Sequence, residues 1–232
     1  MRICCITHVP FEGPGTIADW AADRGHPLEV VDATTGKLPF PIEFDMFVSM
    51  GGPMSASDTA HNPWLLGELE LLAAAVEGER LVLGVCLGSQ VLASAMGGRV
   101  RVGAEPEIGW FPVRMTEAGR ASKVFGGWPE QFVAGHWHGD TFDLPEGTVS
   151  AASSEVTANQ AFETAGGRVV GLQFHLEWTR HSLATLVSNC ADELVGEGPW
   201  KWNAKRLLED EGAYESSREL LFGLLDRMEE LA

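Results

Sequence analysis

Cysteine 86 stands in Gly84-Val85-Cys86-Leu87-Gly88, directly after the apolar run Leu81-Val82-Leu83. A strand that ends at Gly-x-Cys-x-Gly and turns sharply into a helix has the form of a nucleophile elbow, with cysteine in place of serine. Glycine is needed there because the tight turn brings neighbouring backbone very close. The amides and positive dipole end of the following helix favour the thiolate, the form that attacks carbonyl carbon. A thiolate nucleophile also needs a base and a group to orient that base. Gln173-Phe174-His175-Leu176-Glu177-Trp178 supplies both. His175 and Glu177 are two apart and share a face if the backbone is extended, so Glu177 can hold one imidazole nitrogen and leave the other for Cys86. An oxyanion hole is the third requirement. Backbone amides of Gly51-Gly52-Pro53, with that of Leu87, can serve; taken alone, Gly-Gly-Pro reads equally as a plain turn.

The remaining reactive residues read differently. Cys4, Cys5 and Cys190 have no framework or C-x-x-C spacing and read as small buried hydrophobes. His136 and His138 flank Trp137, and two such histidines can share a metal, but no third ligand has matching spacing. They are read as lining a cleft, with no metal expected. Asp58 and His61 are read as loop residues and Glu209-Asp210-Glu211 as a solvated face. Trp20, Trp64 and Trp128 are packing candidates, whereas Trp110, Trp137 and Trp178 lie beside motif segments where aromatics shape pockets.

The elements that must position these groups alternate in type. Strands are expected at Ile3–Val9, Leu28–Val31, Phe44–Met50 and Leu81–Val85. Helices are expected over 16–24, Trp64–Val76 and Gln90–Met96, the last closed by Gly97-Gly98. This β-α-β alternation predicts an α/β fold: a mostly parallel twisted sheet with helices on both faces. The middle of the chain reads as short strands at Arg99–Val102, Trp110–Met115, Gln131–Ala134 and Thr148–Ala152. A hairpin follows from Gln160–Glu163 and Arg168–Phe174, then a helix over Thr179–Leu194. Gly196-Glu197-Gly198-Pro199 breaks the chain into a main domain, 1–195, and a helical C-terminal extension, 196–232. The extension carries Leu220, Leu221, Leu224, Leu225 and Met228 at helical spacing. It is too short to bury a core alone and must pack on the domain or on a partner.

Composition bounds the function. The 232 residues are 45% hydrophobic and 21% charged, as in ordinary globular chains. Lys plus Arg number 16 against 33 Asp plus Glu, a net charge of −17, which repels phosphate backbones and anionic lipid. No apolar stretch approaches the roughly 20 residues of a membrane span. The short apolar start, closed by Thr7-His8-Val9-Pro10, lacks the length and cleavage site of a signal peptide. The expectation is a cytoplasmic enzyme that takes a small molecule and binds neither nucleic acid nor membrane.

The residues Gly84-Val85-Cys86-Leu87-Gly88-Ser89-Gln90, Gly51-Gly52-Pro53 and His175-x-Glu177, in the chain order Cys, His, Glu, resemble the class I, triad-type glutamine amidotransferases. Glu107-Ile108-Gly109-Trp110 and His138-Gly139-Asp140 narrow the resemblance to the amidotransferase domain of GMP synthase and its stand-alone relatives. The resemblance covers about residues 1 to 195 and implies the flavodoxin-like fold of that class. It further implies that Cys86 attacks the glutamine side-chain amide to form a γ-glutamyl thioester, with His175 as proton shuttle and Glu177 orienting it. In the same way it gives the Gly52 and Leu87 amides to the oxyanion, and Gly51, Gln90, Trp137, Gly139 and Asp140 to substrate binding. It requires no cofactor. Leu176 stands where many members have proline, and Ser89 where many have His or Met. The sequence contains neither a G-x-x-x-x-G-K-[ST] nor an S-G-G-x-D-S loop. An ammonia acceptor would therefore be a separate synthetase subunit, or there is none. The alternatives are a hydrolase of γ-glutamyl peptides or conjugates, a non-catalytic binding or regulatory member, and a homodimer built through the amphipathic tail.

Overall fold

The computed structural model describes residues 1–232 apart from Glu197, Asp210 and Glu211, and of Gly212 the backbone alone. The expected solvated face at 209–211 thus lies mostly outside the described residues. Strands β1 (Ile3–Thr7), β2 (Leu28–Asp32), β3 (Met46–Ser49), β4 (Leu81–Val85) and β9 (Val169–Leu172) form a parallel half-sheet in the order β2-β1-β3-β4-β9. β8 (Ala161–Thr164), β7 (Thr148–Ser153), β5 (Val100–Met115) and β6 (Gln131–Phe142) continue it antiparallel, giving one nine-stranded sheet among the described residues.

Strands buried on both faces carry apolar residues at nearly every position, and here the alternate side chains enter two separate cores. Ile3, Cys5, Met46, Val48, Leu81 and Leu83 face one way, into a core shared with Ile17 and Trp20 of α1 (Thr16–Asp23). Cys4, Ile6, Phe47 and Val82 face the other, against α2 (Trp64–Glu77) and α3 (Leu87–Ala95). The C-terminal helix α7 (Gly212–Glu229) lays Leu221, Leu224, Leu225 and Met228 into the first core, beside α1. Its Asp226 accepts from Trp20 Nε1 at 2.7 Å and forms a two-pronged ion pair with Arg24. The tail beyond Gly196 is thus one wall of the same core as the strands.

Two strands are longer than their patterns suggested. The separate runs 99–102 and 110–115 are one strand, β5, with a register irregularity between Val102 and Glu107. β6 runs on through His136-Trp137-His138-Gly139-Asp140, so these residues sit on a strand. The expected helix over 179–194 divides into α5 (Arg180–Asn189), capped by the Thr179 side chain on Ser182 N–H, and a 3₁₀ turn at Ala191–Leu194. Two short helices, α4 (Glu117–Ala121) and α6 (Ala204–Glu209), complete the set of α-helices among the described residues.

Candidate active site

Three of the sequence motifs follow β3, β4 and β9, which are consecutive neighbours in the sheet and run parallel. Their carboxyl ends lie side by side, the place where open α/β sheets bind ligands. That topology brings Gly51-Gly52, Cys86 and His175 together from far apart in sequence. β6 then bridges across: Gly135 and His175 exchange backbone hydrogen bonds at 3.2 and 2.7 Å.

Cys86 occupies the turn with φ 51° and ψ −109°. Among the described residues only Glu79 shares a positive φ without being glycine. Such a conformation costs on the order of 1–3 kcal/mol and persists only where its surroundings hold it. They do so here: Cys86 N–H donates to Leu172 O at 2.8 Å and Gly88 N–H to Met50 O at 3.0 Å. A side chain at Gly84 would strike the Gly88 carbonyl at 2.6 Å, and one at Gly88 would strike the backbone of Ser49. Helix α3 starts at Leu87, three residues earlier than its apolar pattern indicated, so Leu87 N–H is a first-turn amide with no intrahelical acceptor.

His175 is buried and its Nδ1 donates to Glu177 Oε1 at 2.7 Å. Glu177 Oε2 accepts from Leu176 N–H at 3.0 Å, and the Glu177 carbonyl caps α1 through Thr16 N–H at 2.9 Å. The imidazole stacks on Trp178, ring centres 4.3 Å apart. Its Nε2 is buried without a hydrogen-bond partner. Burial alone would lower the His175 pKa, but the Glu177 carboxylate and the Cys86 sulfur raise it well above the ordinary value. The Cys86 thiol donates to the Trp137 carbonyl at 3.5 Å.

A cavity of about 250 Å³ opens beside Cys86, and Gly52, Leu87, Gln90, Trp137, Gly139 and Asp140 line it. Gln90 Nε2 donates to the Asp140 carbonyl at 3.4 Å and to Gln173 Oε1 at 3.2 Å. The Asp140 side chain accepts from Ser55 Oγ at 2.7 Å. Gly51 is set back from the cavity, where a side chain would meet the Glu12 carboxylate and His175. His138 lines the cavity too, whereas His136 is fully buried behind it. Asp58 and His61 form an exposed ion pair on the loop after Gly52.

Several groups escaped the sequence reading. Glu12 and Glu193 add carboxylates to the cavity, and Glu193 accepts from Trp137 Nε1 at 3.0 Å. Burial pushes the Glu12 pKa up to about 7, against the lowering influence of His175. His8 Nδ1 donates to the Gly51 carbonyl at 3.0 Å and Nε2 to Glu68 Oε2 at 2.9 Å, while Ser49 Oγ donates to Glu68 Oε1 at 2.7 Å. This buried trio braces the Gly51-Gly52 turn. Burial lowers the His8 pKa, but Glu68 and the Gly51 carbonyl outweigh it and raise it. The one available signal was position: His8 follows β1, whose carboxyl end lies beside that of β3. Burial holds the Cys4 thiol up at about 12 and Cys190 at about 11, and raises Cys5 too, in keeping with inert thiols.

The model of the glutamine amidotransferase class I family matches residues 16–193 of this chain. The chain is 34% identical over 200 residues to YfeJ, a glutamine amidotransferase-like protein of Salmonella typhimurium, covering 84% of this chain and 83% of that one. It is 33% identical over 128 residues to the GMP synthase of Latilactobacillus sakei, 55% of this chain but only 23% of the synthase. The crystal structure of a Thermotoga maritima glutamine amidotransferase is similar with a TM-score of 0.88 at 33% identity, covering 98% of this chain and 97% of that one. No described helix is long and apolar enough to cross a membrane.

Proposed function

This chain belongs to the class I glutamine amidotransferase family, and on that premise we propose that it hydrolyses the side-chain amide of glutamine through Cys86, His175 and Glu177. The observation that carries the reading is the His175 ring: Nδ1 is fixed on Glu177 at 2.7 Å, and Nε2, buried and otherwise unpartnered among the described residues, is the nitrogen left to exchange a proton with Cys86. The Cys86 proton passes to His175 Nε2 as the sulfur attacks the amide carbon. The oxyanion takes hydrogen bonds from the Gly52 and Leu87 amides. The tetrahedral adduct collapses, His175 returns the proton to the departing nitrogen, and ammonia leaves a γ-glutamyl thioester. Water then attacks with His175 as base, glutamate is released and the thiol is restored.

The cavity suits the amino-acid end of glutamine. Asp140, Glu12 and Glu193 face it, and among the described residues no Lys or Arg lines it, so a substrate ammonium has ready acceptors. Gln90 and the Gly139 backbone complete the polar wall. The ammonia is proposed to serve a synthetase supplied as a separate protein; the curated GMP synthases that the chain resembles are far longer than the matched segment.

The experiment is release of glutamate and ammonia from glutamine by the purified chain, with Cys86→Ala as control and a panel of γ-glutamyl peptides in parallel. Cys86-dependent release of both products supports the proposal. Turnover of the peptides alone would replace glutamine with a γ-glutamyl conjugate as substrate. Turnover that survives Cys86→Ala would remove the mechanism.

A further inference from the structure

Behind the cavity wall lies a second polar cluster that the hydrolysis does not use. β5 and β6 pair so that Glu107 stands opposite His138, and His136 precedes His138 by two on the same face of β6. The side chains of Glu107 and His136 are fully buried and that of His138 almost so. Spacing along one strand could not reveal this trio, because the carboxylate comes from the neighbouring strand. One donor atom from each residue lies within 4.8 Å of the other two.

Hydrogen bonding determines which atoms face inward. His136 Nδ1 donates to the Ala134 carbonyl at 3.0 Å, and His138 Nδ1 to the Asp140 carbonyl at 3.1 Å. A carbonyl only accepts, so both rings carry hydrogen on Nδ1, and Nε2 is left as the lone-pair nitrogen. Among the described residues neither Nε2 has a well-aligned hydrogen-bond partner, and nor does Glu107 Oε1; His138 Nε2 stands 3.4 Å from Glu107 Oε2. Glu107 Oε2 is held in place by Thr157 Oγ1 and Gln160 Nε2, each at 2.7 Å. His136 Nε2, His138 Nε2 and Glu107 Oε1 are thus buried together without a donor, and one cation among them satisfies all three. A proton on His138 would pair it with Glu107 and still leave His136 Nε2 orphaned.

We propose that Glu107, His136 and His138 form a three-ligand site for one Zn²⁺ ion. Two neutral imidazoles and a carboxylate are a zinc donor set. Backbone carbonyls holding the far nitrogens are the outer shell that such histidines ordinarily have. Ligands around tetrahedral zinc stand about 3.4 Å apart. His138 Nε2 and Glu107 Oε2 are already 3.4 Å apart, and closure elsewhere needs side-chain shifts of about 1 Å or less. His138 borders the cavity, which provides the entry path. The ion takes no part in the chemistry. It ties β5 to β6 and steadies the Asp140 carbonyl, which Gln90 also contacts.

The test titrates the chelator-stripped chain with Co²⁺ and Zn²⁺ under equilibrium dialysis and visible absorption. One equivalent of Co²⁺ with visible d–d bands, no strong thiolate charge-transfer band, displacement by Zn²⁺ and a Zn²⁺-dependent rise in melting temperature are expected. Cys86→Ser should bind equally well. Glu107→Gln and His136→Asn should each weaken binding on the order of 100-fold or more. Should either variant fail to fold by circular dichroism, the wild-type spectrum and the Cys86→Ser comparison decide. Absence of stoichiometric uptake, a thiolate band, loss of uptake in Cys86→Ser, or undiminished uptake in folded ligand variants would each overturn the proposal.

Discussion

A thiol becomes a nucleophile when its proton has somewhere to go, and His175 offers a single open nitrogen for it. Cys86→Ala should abolish hydrolysis, and His175→Ala should cost on the order of 10⁴-fold or more in kcat, since the two act as a unit. Glu177→Gln keeps the ring in place by hydrogen bonding but loses the charge, so its loss should be about 100-fold smaller than that of His175→Ala. Steady-state ammonia release measures all three, and equal losses at His175 and Glu177 would contradict the division of roles. Glu12 gives a second residue-scale prediction. Its folded pKa, about 7, lies above the unfolded value near 4.5, so the folded state holds the extra proton between those limits. The group therefore weakens folding progressively as pH rises from about 4.5 to 7, and the penalty is complete above that. Glu12→Gln removes the charge. Its denaturation midpoint should match wild type at pH 4.5 and exceed it at pH 8; an unchanged midpoint at pH 8 would show that Glu12 is hydrated.

At the scale of elements, the elbow depends on how closely β3 and α3 approach. Gly88→Ala drives a methyl group into the Ser49 carbonyl, backbone against backbone, where neither partner can rotate away. A loss of about 3 kcal/mol is expected in chemical denaturation. Gly139→Ala is the internal contrast: nothing lies within 4 Å of its added carbon, so stability should hold within about 0.5 kcal/mol. The same elements show what a sequence can disclose. Leu81–Val85 is read with its observed bounds because four apolar residues and a glycine closed by an elbow admit few alternatives. The start of α3 is hidden, since Gly88 and Ser89 resemble a turn until helix and strand are seen to touch there. β6 is read as four residues because His136 to Asp140 is mostly polar and has no alternation, yet from Ala134 to His138 both faces of the strand are buried. Glu12, His8 and Glu68 carry no local signature, and Glu107 lies in a motif that does not disclose its partners. Each gains its meaning from a partner on another element, and only the sheet order supplies that partner.

Over the whole molecule, the extension decides whether the parallel half-sheet is covered. Its face built from Ile3, Cys5, Met46, Val48, Leu81 and Leu83 is roofed by α1 and α7 together. The segment before α7 also reaches toward the site: Trp110 Nε1 donates to the Leu207 carbonyl at 3.0 Å, and Trp110 packs edge-on against Trp178, which stacks on His175. Removing residues 196–232 therefore strips apolar cover from the sheet and support from the catalytic imidazole in one cut. The truncated chain should bind a hydrophobic dye, lose cooperative unfolding and release no ammonia. A single cavity separates these effects. Leu224 is fully buried in the sheet-facing core, whereas Trp110 and Trp178 belong to a different apolar cluster. Leu224→Ala should lower unfolding stability by about 2–5 kcal/mol yet leave kcat per folded molecule near wild type. Full activity in the folded, truncated chain would mean that α7 only shields the domain. Loss of kcat in stable Leu224→Ala would mean that the roof and the site are coupled through the sheet itself.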